Sequence, residues 1–147
     1  MTLLAFNAVI HARPAGAPTA DDTNLRGCVR RRLAVRGDEV GPGFAVTFET
    51  VGERLAGKER LYFEPDGSFV WVAAAEERAW QLDGLLADRA DRLLYVELKG
   101  TCPPEALDEL LAAIGRPAEG FMFQLVREAV FLDEEEFRRY AAAPDVP

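Results

Sequence analysis

The stretch Leu93–Gly115, LLYVELKGTCPPEALDELLAAIG, holds two hydrophobic periods in succession and decides how the remaining sequence is read. Leu94, Val96 and Leu98 alternate with Tyr95, Glu97 and Lys99 at strand period, whereas Leu107, Leu110, Leu111 and Ile114 recur at helical spacing. Pro103 and Pro104 suit a first helical turn, where a missing N–H costs nothing, and Gly115 followed by Pro117 stops the helix. A strand therefore runs straight into a helix, with further strands before it.

Upstream, Pro65-Asp66-Gly67-Ser68 separates RLYFE from FVWVA. Proline presets one turn position, aspartate hydrogen-bonds locally and glycine accepts positive φ, so this is a hairpin. Trp80 to Leu86 and Leu93 to Lys99 make a second hairpin around the polar turn ADRADR. Phe44, Val46 and Phe48 open a strand after the turn GDEVGPG, and Leu61, Tyr62 and Phe63 start another. The opening MTLLAFNAVIHA lacks the basic start of an export signal and is interrupted by Asn7, which makes it a first strand. Downstream, FMFQLV and AVFL supply late strands, and Asp133 followed by Glu136 has capping-box spacing for a last helix.

Residues 13–24, RPAGAPTADDTN, have no periodicity and read as a flexible loop. The segment 25–36 fits two patterns. Val29, Leu33 and Val35 alternate with arginines as in a strand, while Leu25, Cys28, Val29 and Leu33 lie on one helical face capped by Asn24; the helix is preferred. Strands followed by helices imply an α+β fold: one domain over residues 1–147, built as an antiparallel meander sheet of about five to seven strands with two or three helices packed on it. Residues 141–147 form a short tail.

With 49% hydrophobic and 29% charged residues the composition is that of a soluble globule, and no apolar run approaches the ~20 residues of a membrane helix. Cys28 and Cys102 are expected as free thiols in a cytoplasmic protein. The net charge of -8 opposes binding to nucleic acid. That charge is uneven. Arg13, Arg26, Arg30, Arg31, Arg32 and Arg36 face only Asp21 and Asp22 in the first 36 residues, giving a basic arm on an acidic body.

Three places suggest chemistry. Cys102 stands where a helix begins, and unpaired N–H groups there would stabilise a thiolate; a packed structural cysteine is the alternative. The order of strand, Cys102, Pro103 and helix is similar to the start of a thioredoxin-type active site, but Glu105 stands where that family has its second cysteine. The preceding meander also departs from that family's strand order, and no activity is carried over. Symmetric closure of the second hairpin around Ala90 would set Asp83 opposite Glu97 on one face, a spacing at which paired carboxylates act as acid and base. A solvated polar face relieved by Lys99 is the plainer alternative. Finally, Arg30, Arg31 and Arg32 would grip phosphate or, more simply, pair with the chain's own carboxylates or cover an interface.

Other signatures are missing. His11 is the sole histidine, and there is no metal-ligand spacing and no phosphate loop, so no metal or cofactor is expected. Phe69 and Trp71 alternate with Val70 and Val72, leaving that strand apolar on both sides and Trp71 a candidate interface anchor. These features favour a non-enzymatic protein-binding or regulatory module of inhibitor, immunity or adaptor type, engaging another protein or itself. An enzyme using Cys102 or Asp83 with Glu97 is the alternative.

Overall fold

The computed structural model describes residues 2–35, 40 and 43–143. Its strands are β1 (Leu4–Ala12), β2 (Thr19–Leu25), β3 (Cys28–Leu33), β4 (Leu61–Phe63), β5 (Ser68–Val72), β6 (Gln81–Arg89), β7 (Arg92–Cys102), β8 (Phe121–Leu125) and β9 (Val130–Asp133). The helices are α1 (Phe48–Ala56), α2 (Pro104–Ile114) and α3 (Glu134–Ala142). The fold is α+β, as the alternating and helical periods require. All strands join one antiparallel sheet in the order β2-β3-β9-β8-β1-β7-β6-β5-β4. Nine strands among the described residues exceed the expected five to seven, and two of them, β2 and β3, lie in segments assigned to other structure. Only β4 to β7 form a simple meander; β1 is the central strand, between β7 and β8.

Parity explains the core. Leu4, Phe6, Ala8 and Ile10 of β1 pair with Cys102, Gly100, Leu98 and Val96 of β7, and all eight point to one side of the sheet. Leu82, Leu86, Phe69, Trp71, Phe123 and Leu125 continue that side, and the buried faces of all three helices join the same core cluster. Phe137 of α3 stacks on Phe123 at 4.0 Å and meets Phe6 edge-on at 5.0 Å. Each such fully buried side chain stabilises the fold by roughly 1.5–3 kcal/mol.

Several expectations change. Thr19–Leu25 is a strand, not part of a loop, and Cys28–Leu33 is a strand, not a helix. Arg26 (φ 52°) and Gly27 (φ 78°) form a two-residue left-handed turn that folds β3 back along β2, so the alternating pattern prevails. Phe44 N donates to Leu93 O and Leu93 N to Val46 O, but the chain bends at Ala45–Val46 in place of the expected strand, and a helix begins at Phe48 because the Thr47 hydroxyl accepts a hydrogen bond from Thr50 N and caps it. In the GDEVGPG turn, residues 37–39, 41 and 42 lie outside the described residues. The supposed tail begins too early: Ala141 is buried within α3, and 144–147 lie outside the described residues.

Candidate functional site

Among the described residues all three helices cover one face of the sheet; on the other face His11 and Met122 are buried at one end of β1 and β8, whereas β4 to β7 and the Asn7 level of β1 carry side chains that reach solvent. One row crosses six successive chain segments at a single level: Tyr62 of β4, Val70 of β5, Asp83 of β6, Lys99 of β7, Asn7 of β1 and Val126 just after β8. The first five are joined by strand register and the last by a hydrogen bond from Val126 N to Asn7 O at 3.2 Å. Tyr62, Val70 and Val126 are 59%, 36% and 49% exposed. Among the described residues only Val29, on the β2–β3 hairpin, is a further large apolar side chain so exposed. At mid-row, Asn7, Val9, Asp83, Glu97, Lys99 and Val126 line a shallow depression of about 260 Å³.

The charges at its centre differ from the expected carboxylate pair. Asp83 lies opposite Lys99, and Glu97 lies opposite Leu85. Ala90 (φ 53°) and Asp91 (φ 67°) alone form the left-handed turn, and a bulge at Ala87/Asp88 adds to the displacement, so the register moves by two positions from closure around Ala90. An even shift preserves parity, and both carboxylates remain on the same face. Their direct opposition is lost. Asp83 Oδ1 accepts a hydrogen bond from Gln81 Nε2 at 2.9 Å, while Lys99 has no hydrogen-bond or ion-pair partner among the described residues.

Cys102 does not offer a thiolate. It ends β7, Pro103 occupies the N-cap of α2, and the thiol is 0% exposed in the core. Burial pushes it from 9.0 up to about 12, which outweighs the lowering effect of its hydrogen bond with the Leu107 backbone and of nearby Arg138. Helix-end proximity therefore loses to desolvation. Trp71 is also turned inward, 5% exposed, with Nε1 donating to Glu59 O at 3.3 Å and its ring edge-on to Trp80. It anchors the core, whereas Tyr62 and Val70 take the outer positions.

The arginines are mostly spoken for. Arg31 Nε lies 3.7 Å from Asp22 and Arg32 lies 2.7 Å from Asp21 across the β2–β3 pair, and among the described residues Arg30 Nε is buried without a hydrogen-bond partner. Arg26 clamps the end of α3, donating to Tyr140 O, Ala143 O and Ala5 O at 3.0, 3.2 and 2.9 Å with its guanidinium 4.1 Å from the Tyr140 ring centre. Among the described residues no cluster of free arginines forms at the bare face, and Arg36 lies outside them.

No family model, curated protein or solved structure matches this chain. Among the described residues no helix is long and apolar enough to cross a membrane. Asn7, Tyr62 and Val126 were not legible as site residues, since each falls in a different strand pair and only the register places them in one row. Outward parity in β1 and β5 was the available signal.

Proposed function

We propose that this is a non-enzymatic protein-binding module whose bare sheet face engages another protein chain, in the manner of an inhibitor, immunity protein or adaptor. One observation carries the reading: three of the four exposed large apolar side chains among the described residues fall in a single row, flanking a charged centre. Apolar side chains scattered singly need no explanation, but an ordered row on an uncovered face marks a contact surface. The charged centre adds selectivity, because Asp83 and Lys99 lose hydration on contact, a cost offset only when the partner supplies opposite charges. The depression is open and shallow, and Cys102 lies outside it. That favours surface recognition over a reaction chamber.

Capture experiments test the face. Immobilised wild type is compared with the double variant Tyr62→Glu/Val70→Glu and with Ala112→Glu, a control on the exposed side of α2. Proteins retained by wild type and control should be lost from the face variant. Equal retention by all three, or none by wild type, would refute the proposal.

A further inference from the structure

The row Tyr62, Val70, Asp83, Lys99, Asn7, Val126 has opposite charges at its two central positions and apolar side chains at its ends. Reversed end to end, its charged centre complements itself, acid on base and base on acid, with Tyr62 on Val126 at the ends and Val70 on Asn7 between. We propose that the chain covering the bare face is a second copy, packed face to face about a two-fold axis parallel to β6 and β7 and midway between them. This rests on the protein-binding reading of that face and names its occupant.

Rotation about this axis keeps each row at its level along the strands and exchanges left for right across the sheet. Asp83 then meets Lys99 of the partner subunit, and Lys99 meets the partner's Asp83. At the next level Glu97 meets the partner's Leu85, so no like charges are brought together. An axis running across the strands would instead set Asp83 against the partner's Asp83 and Lys99 against the partner's Lys99, which repulsion disfavours. Charge therefore selects one orientation. Aligned sheets pack about 10 Å apart, a gap that the Lys99 stem reaches across. Lys99 has no partner among the described residues of its own chain, so the contact supplies the carboxylate it lacks. A contact of this symmetry is isologous and closes as a dimer.

Sedimentation equilibrium of the full chain tests this. Wild type should self-associate, and Asp83→Lys or Lys99→Glu alone should each raise the dimer dissociation constant by about tenfold or more, through like charges at both central contacts. An equimolar mixture of the two single variants should regain wild-type association, because every central contact in the mixed dimer joins opposite charges. Mixing leaves each chain's own fold unchanged, so recovery reports the contact between chains. A wild type that stays monomeric at its highest soluble concentration overturns the proposal, as does a mixture that associates no better than either variant alone. If wild type is monomeric but Tyr62→Glu/Val70→Glu still abolishes capture of a different protein, only the second copy is removed; without such capture both readings fall.

Discussion

Cys102 and His11 are both withdrawn from water, and each converts that withdrawal into a measurable preference for its neutral form. Cys28 is exposed and Cys102 buried, so a water-soluble thiol reagent should modify Cys28 quickly and Cys102 only in denaturant. Fast modification of both would contradict the packing of β7 under α2. Cys102→Ser would bury a hydroxyl in an apolar setting and should cost about 1–3 kcal/mol, read as a lowered denaturation midpoint. His11 lies on the other side of the sheet, with Nε2 2.9 Å from Gln124 Oε1. Burial pushes its pKa below 6.5, against the opposing effect of that hydrogen bond. The unfolded chain takes up the proton first. Stability from this group is therefore complete above pH 6.5 and declines as pH falls from there towards the lower folded value. Urea midpoints recorded between about pH 7 and 5 should fall less steeply in His11→Gln than in wild type, the difference isolating this group from the carboxylates. Gly84 gives a steric prediction. A Cβ there would lie 2.1 Å from Phe69 Cζ, so Gly84→Ala should destabilise by about 1–3 kcal/mol through overpacking.

At the scale of elements, stability depends on how ends and turns are closed. Asp133 Oδ1 accepts from Glu136 N at 2.8 Å and starts α3, so Asp133→Ala should cost about 1 kcal/mol in a denaturant titration. The elements legible in sequence were those whose local chemistry agreed with their period. Asp66 Oδ1 takes the Ser68 N–H at 2.9 Å and Gly67 has φ 97°, as the Pro-Asp-Gly-Ser turn requires. Gly115 with φ 87° ends α2 for the same kind of reason. Register was misread at the Ala90–Asp91 turn, which no glycine or proline marks, and the Arg26–Gly27 turn was passed over although Gly27 stands in it. Ala90 and Asp91 adopt left-handed backbone that their side chains disfavour, and Arg26 does so one residue before Gly27. Tertiary contacts hold these positions: Arg26 gains three carbonyl acceptors and the Tyr140 ring. The missing α1 had a usable signal, since Phe48, Val51 and Leu55 follow helical spacing behind Thr47, but the alternation of Phe44, Val46 and Phe48 masked it. For the site, parity was recoverable and register was not, because an unmarked turn and a bulge together moved Lys99 into the place expected for Glu97.

Across the whole molecule, the two halves of the sheet meet only through β1. Its hydrogen bonds run to β7 on one side and β8 on the other, so pairings of very long sequence separation hold the centre together. Such topology folds slowly compared with helical proteins, and stopped-flow refolding should lie in the millisecond-to-second range. A chain lacking residues 1–12 loses Leu4, Phe6, Ala8 and Ile10 from the core and leaves β7 and β8 with bare edges. Residues 13–147 alone should be insoluble, and a synthetic peptide of residues 1–12 added during refolding should restore soluble protein; a well-folded truncated chain would show that β1 is dispensable. The same placement has a consequence during synthesis. The ribosome releases this strand long before β7 and β8, the two neighbours that pair with it. Until β7 emerges both edges of this apolar ribbon are unpaired, and until β8 follows one still is, so the growing chain carries an aggregation hazard that the finished sheet removes.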